Sequence, residues 1–215
     1  MASGYPVRVD FKRPVEAVIP GVQGRILAVL AETTEELNLR TIARLAGVSS
    51  AQASRVLPEL VTLGLVARRE APPSALFSLV DDHVAARLVR ELSQARRAVL
   101  DELRTLADGI DPLPVSVVVF GSLARGDADA ESDIDVLLVR PAHVDEDEDG
   151  WASSVEEWRT AAGRLTGNSI ELLEVGEVDV GRRLARPSGV WADLIREGIA
   201  VSGASLADLK VRASA

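Results

Sequence analysis

The sequence predicts an α+β protein of two modules, a helical one closed by a β-hairpin and a second built on strands. Three observations predict it. Apolar residues recur at helical spacing through residues 21–65 and then give way to two short strand-like runs. Further on, two β-rich runs, VSVVVF at 115–120 and DIDVLLV at 133–139, flank a Gly-Ser turn. The formal charge of −9 is also unevenly spread: residues 1–90 carry 11 Lys and Arg against 9 Asp and Glu, and the remainder carries 13 against 24. Such a split is expected of modules with different partners.

At 215 residues the chain can bury a real core as one domain or two small ones. Its 47% apolar and 27% charged residues are those of an ordinary globular protein. Cysteine is absent, which excludes disulfides, zinc–thiolate sites and a thiol nucleophile. The opening MASGYPVRVDFKRP lacks the apolar segment of a signal peptide, and no run approaches the ~18 apolar residues of a membrane span. The reading is therefore a cytoplasmic protein with no membrane partner. The net charge argues against nucleic-acid binding by the whole chain, so any DNA contact must rest on local patches.

In the first module, Val22, Ile26, Val29 and Leu30 define a helix, and Ile42, Leu45 and Ala46 define a second one ended by Gly47. Ser49 or Ser50 can cap a third, whose buried side is Val56, Leu57, Leu60, Leu63 and Leu65, with Gly64 at its end. Pro58 removes a backbone donor inside that helix and can kink it. LVARRE and ALFSLV then read as a hairpin around APPS. This order of helix, helix, glycine turn, helix and arginine-bearing hairpin resembles the winged helix-turn-helix of bacterial transcriptional regulators over residues 21–80. The resemblance implies that Ser49, Ser50, Gln52, Ala53 and Arg55 meet base edges in the major groove. Arg68 and Arg69 are then expected near phosphates. Residues 82–109 read as a connecting helix capped by Asp81 or Asp82, ~40 Å long at 1.5 Å per residue, that either forms the seam of a homodimer or leans on the next domain. His83 reads as a solvated or capping residue.

In the second module, Pro112 and Pro114 mark the boundary, and Gly121-Ser122 ends the first strand. Backbone N–H groups at the turn, the Ser122 hydroxyl and the Arg125 guanidinium suit phosphate oxygens. In DIDVLLV, residues two apart share a face, so Asp133 and Asp135 lie about 7 Å apart along the strand while Ile134, Val136 and Leu138 face the other way. Paired carboxylates of this kind suit Mg²⁺ shared with the phosphates of a substrate. The alternative is an edge strand with a solvated acidic face, which Leu137 and Val139 on the acids' own face oppose.

The pattern G-S-x10-D-x-D, with S-x-x-R-G and S-D-I-D inside it, resembles the DNA polymerase β-like nucleotidyltransferases, specifically their minimal branch, over about residues 112–203. The resemblance implies a mixed sheet and a third carboxylate from a later strand. In SIELLEV both Glu171 and Glu174 are available; the order Ile170-Glu171-Leu172 selects Glu171, although the family more often uses Asp. It also implies two Mg²⁺ ions held by Asp133, Asp135 and Glu171, and a nucleoside triphosphate, ATP first, cradled by Gly121, Ser122 and Arg125. Glu171 would deprotonate an acceptor hydroxyl that attacks the α-phosphate and expels pyrophosphate.

The expected architecture is thus α+β: a winged helix-turn-helix at 1–81, a long connecting helix at 82–109, and a polymerase-β-like nucleotidyltransferase domain with a mixed sheet at 110–215. DEDEDG at 145–150 reads as a solvated loop before the helix WASSVEEWRTAAGRL, capped by Asp149 or Ser153, with Trp151 and Trp158 in the core. VWADLIREGIAVSG reads as a closing helix and strand. Three functions are compatible with these features. The first is NMP transfer to a protein, RNA or small-molecule hydroxyl, with the winged helix binding DNA for autoregulation; within the family such enzymes occur in toxin–antitoxin pairs. The second is a nucleotide-sensing transcriptional regulator with a weak or inactive transferase domain. An antibiotic nucleotidyltransferase ranks last, because little chain follows residue 203 to bind an aminoglycoside.

Overall fold

A computed structural model describes residues 8–146 and 148–212. Residues 1–7, read above for a signal segment, and Asp147 of the acidic run lie outside the described residues. The described residues divide into two units, Arg13–Ala95 and a second that joins residues 8–12 with those from Arg96 to 212.

The first unit contains α1 (Pro14–Val18), α2 (Val22–Ala31), β1 (Leu37–Asn38), α3 (Leu39–Leu45), α4 (Ser50–Thr62), β2 (Val66–Ala71), β3 (Ser74–Leu79) and α5 (Val84–Ser93). Ser49 caps α4: its Oγ accepts from Gln52 N–H at 3.1 Å and the Gln52 side chain accepts from Ser49 N–H at 2.9 Å. Gly47, at φ +61°, makes the turn between α3 and α4. Pro58 lies within α4 without ending it, on the exposed face. The hairpin pairs Val66 with Leu79 through Ala71 with Ser74, and the two-residue β1, too short to read from sequence, adds to β3. Ile26, Leu30, Ile42, Leu57 and Leu60 form the core. Leu63, expected on the buried side of α4, is 60% exposed, because the chain turns there toward the hairpin.

The single connecting helix is corrected to two. Gln94 leaves helical geometry at φ −96°, ψ 11°, separating α5 from α6 (Ala95–Ala107). The two halves bury their apolar faces in different cores, Ala86 and Val89 in that of the first unit, Val99, Leu103 and Ala107 in that of the second. A continuous amphipathic pattern conceals this break. His83, not Asp81 or Asp82, occupies the N-cap position of α5, and its side chain makes no capping bond.

The second unit continues from α6 with β4 (Ser116–Phe120), α7 (Gly121–Arg125), β5 (Ile134–Arg140), α8 (Asp149–Thr166), β6 (Ile170–Gly176), α9 (Glu177–Ala185), α10 (Val190–Glu197), β7 (Ile199–Gly203) and α11 (Leu206–Arg212). The sheet order is β6-β5-β4-β7; β5 and β6 run parallel while β4 is antiparallel to β5 and β7, so the sheet is mixed. β4 is buried throughout, which explains its unbroken apolar run. One face of the sheet presents Ile134, Val136 and Leu138 to Leu103, Trp151 and Trp158. The other presents Val118, Leu137 and Val139 to Leu184, Leu194 and Leu209. Both tryptophans are buried, as their seven-residue spacing requires. Glu148 holds the N-cap position of α8 without a side-chain bond, in place of Asp149 or Ser153. Among the described residues no helix is long and apolar enough to cross a membrane.

Candidate functional site

Parallel register sets the centre of the site. Asp135 on β5 is the direct partner of Glu171 on β6, so the two side chains share a face on strands about 4.8 Å apart. That face is the one carrying Leu137 and Val139 further along, whereas Glu174 lies on the opposite face. There Glu174 accepts from Arg140 Nε at 2.8 Å and from Trp151 Nε1 at 3.0 Å. Glu174 is thus engaged in holding α8 to the sheet, and Glu171, exposed, is the acid beside Asp135. Asp133, exposed, stands just before β5.

Gly121 follows β4 at φ +67°, and a Cβ there would lie 2.0 Å from Asp135 Oδ2. The glycine is needed twice, for its backbone conformation and for the room that the carboxylate occupies. Burial, then the charges of Asp133 and Glu171, push the Asp135 carboxyl above the usual carboxylate range, against the lowering effect of Arg125.

Two supports hold the loops that carry these groups, and neither is evident from sequence. Buried Asn168 donates to Ser132 O at 2.8 Å and accepts from Val9 N–H at 3.2 Å, so it pins the turn preceding Asp133. Within that turn Asp129 accepts from Ser132 Oγ at 2.9 Å and from Glu131 N–H at 3.0 Å. On the other side Arg96 donates to Leu123 O at 2.6 Å and also to Ala124 O, tying down α7. The only sequence signals for these roles are a polar Asn before a strand and an Arg on an amphipathic helix, which many structural positions share.

Gly121, Ser122, Arg125, Asp133 and Asp135 line one open cleft of about 530 Å³. Its far wall is one face of α10, formed by Val190, Asp193 and Glu197, none of which the sequence singled out. Among the described residues no three His, Cys, Asp or Glu side chains already converge as a metal-binding group. The donor set nonetheless suits a hard divalent cation, since Asp133, Asp135 and Glu171 offer carboxylate oxygens and their mutual repulsion is what a cation relieves.

On the first unit, Ser50 and Arg55 are exposed on α4, and Arg55 Nε donates to Ala51 O at 3.4 Å. Ser49 and Gln52 are engaged with one another in the cap. Ala53 is corrected: it is fully buried against the core and cannot reach DNA, whereas its neighbour Ser54 is exposed. Arg68 and Arg69 alternate along β2 and therefore point to opposite faces. Arg68, beside Glu70 at 2.7 Å, lines a hollow with Arg40, Ser54 and Thr62, between α4 and the hairpin. Arg69 is instead turned to Glu36, which accepts from its Nε at 2.9 Å and 3.0 Å.

The second unit sets a Gly-Ser turn against an acid of the neighbouring strand in a mixed sheet, and the first follows helices α2, α3 and α4 with a hairpin. Residues 96–180 match the family model of the nucleotidyltransferase domain, and residues 24–70 match that of the IclR helix-turn-helix domain. One part of the chain is thus similar to a nucleotidyltransferase domain and another to a helix-turn-helix domain. Among solved structures, it is similar to a toxin–antitoxin with AMP-PNP at 17% identity and a TM-score of 0.37, over 54% of this chain and 83% of that one. It is also similar to a MarR family transcriptional regulator from Silicibacter pomeroyi at 25% identity and a TM-score of 0.33, over 44% of this chain and 68% of that one. No curated protein matches the chain significantly.

Proposed function

We propose that the second unit transfers a nucleoside monophosphate from a nucleoside triphosphate, ATP first, to an acceptor hydroxyl, and that the first unit binds DNA to regulate the enzyme's own expression. The observation that carries the transfer is the register of Asp135 against Glu171, with Gly121 closed over Asp135 and Asp133 beside it. Asp133, Asp135 and Glu171 would hold Mg²⁺, two ions in all, which when bound neutralise the triphosphate and polarise the α-phosphate.

The chain's own groups do the rest. The Gly121–Ser122 turn offers backbone N–H groups and a hydroxyl to phosphate oxygens, and Arg125 offers a cationic fork from the same cleft. Glu171, exposed beside Asp135, accepts the acceptor's proton as its oxygen bonds to the α-phosphorus. The bond from that phosphorus to the bridging oxygen then breaks, and pyrophosphate leaves with the electron pair. A helix-turn-helix domain on the same chain suits an operon that its product controls, as in a toxin–antitoxin pair.

Incubation with α-³²P-ATP and Mg²⁺ in a host lysate, wild type beside Glu171→Ala, tests this reading. A labelled protein or RNA whose labelling falls by about a hundredfold or more in the variant supports transfer and identifies the acceptor class. Absence of label with all four NTPs, alongside Mg²⁺-dependent nucleotide binding, points instead to a nucleotide-sensing regulator.

A further inference from the structure

Glu197 is a carboxylate in the wrong place for a site that receives a polyanion. It lines the same cleft as Gly121, Ser122 and Asp135, its side chain is only 7% exposed, and its charge adds to the repulsion felt by Asp135. A buried carboxylate is costly unless it is paired. Here it is paired twice. Arg125 Nη1 donates to Glu197 Oε1 at 2.7 Å, and Arg196 Nη2 donates to Oε2 at 3.2 Å. Arg196 in turn donates to Asp193 at 2.6 Å. The network therefore runs from the cleft wall through Glu197 to the arginine at the end of the Gly-Ser turn. Arg125 itself is 44% exposed, and its other contact, with Asp127 at 3.4 Å, is long. A half-exposed arginine on a five-residue helix has many rotamers open to it, and of its two ion pairs that with Glu197 is the shorter.

We propose that Glu197 is the positioning residue for Arg125, anchoring one edge of the guanidinium so that its remaining N–H groups face the triphosphate cleft. Arg has five donors; Glu197 takes one and Asp127 a second at 3.4 Å, which leaves three for phosphate oxygens. The proposal rests on the reading of Arg125 as a phosphate ligand. It adds that α10, a late element with no part of the G-S-x10-D-x-D pattern, sets the affinity of the site for phosphate.

The test measures binding of MgATP and of adenosine to the full chain, as wild type, Arg125→Ala, Glu197→Ala, Glu197→Gln and the Arg125→Ala/Glu197→Ala double variant. Calorimetry serves for MgATP and ligand-observed NMR for adenosine. Arg125→Ala and Glu197→Ala are each expected to weaken MgATP by about tenfold, the size of one charge-assisted hydrogen bond, with adenosine unchanged. The double variant is expected to be no weaker than Arg125→Ala alone. Glu197→Gln keeps the shape and an acceptor oxygen and is expected to retain most of the affinity. Wild-type MgATP affinity in Arg125→Ala overturns the phosphate reading and the proposal with it. Weakening in Arg125→Ala but not in Glu197→Ala overturns the proposal alone. So does tighter MgATP binding in Glu197→Ala, which would make Glu197 a competitor for Arg125, or an equal loss of MgATP and adenosine in both Glu197 variants, which would make it a mere support of α10.

Discussion

Asp135 is held in a state that folding alone does not favour. Burial and the carboxylates of Asp133, Glu171 and Glu197 raise its pKa, so the folded chain binds its proton more readily than the unfolded chain does. The penalty is absent below the ordinary carboxylate range and grows as pH rises through it, because only the ionised form suffers. Asp135→Asn removes that form. In EDTA, the variant is expected to melt above wild type near pH 7, with the gap closing as pH falls toward ~4. Calorimetric melts across that range check it; a variant less stable than wild type at pH 7 would mean that the carboxylate is stabilised rather than strained. Single residues also show where sequence reading ends. The strand alternation of DIDVLLV put Asp135 and Leu137 on one face, and the structure agrees. Ala53 and Ser54 differ by one helical position, yet only packing against the first unit's core decides which of them faces out. Arg68 and Arg69 could be told apart only by knowing which face of β2 lies beside α4.

At the scale of elements, the site depends on short pieces held by longer ones. α7 is five residues long and cannot sustain itself, so its position comes from β4 before it and from Arg96 on α6, which binds the carbonyls of Leu123 and Ala124. Asn168, after α8, does the same for the turn before β5. Asn168→Ala leaves the carbonyl of Ser132 without its partner and is expected to cost about 1–3 kcal/mol of stability. It should also weaken nucleotide binding through the Asp133 turn, while Ser205→Ala, in the turn before α11, does not. Urea melts and MgATP titration of both variants read this out, and unchanged stability in Asn168→Ala would show that the turn holds itself through Asp129 and Ser132. The strand that carries Asp135 is legible as a short apolar run bounded by turns, that of Glu171 only through the resemblance, and the α3–α4 pair through Gly47 and Ser49, which mark its turn. α10 was legible as a helix but not as the wall of the cleft, since Val190, Asp193 and Glu197 gain meaning only once β4 and β5 bring Gly121 and Asp135 opposite them. The break at Gln94 was invisible because the apolar spacing runs through it without a glycine or proline.

At the scale of the whole molecule, each unit has a core of its own. Ile26, Leu57 and Leu60 belong to one, whereas the second unit packs both faces of its sheet separately. Units with separate cores can lose one function without the other, and the charge distribution says what that function demands. The first unit is nearly neutral in a chain of net charge −9, so binding to a polyanion has to come from a few exposed cations, with no long-range attraction from the rest. Arg55 and Arg68 are exposed, and the ion pair of Arg68 with Glu70 is a surface pair that contributes little to hold it back. Replacing both by alanine is expected to weaken operator binding and to reduce the salt slope by about two, one for each phosphate that is no longer neutralised. MgATP affinity should remain that of wild type, since neither residue belongs to the second unit's core or cleft. Gel shifts over a range of salt, read beside nucleotide titrations, decide it. An unchanged salt slope would remove Arg55 and Arg68 from the DNA surface, and a parallel loss of nucleotide affinity would show that the two units report to each other despite their separate cores.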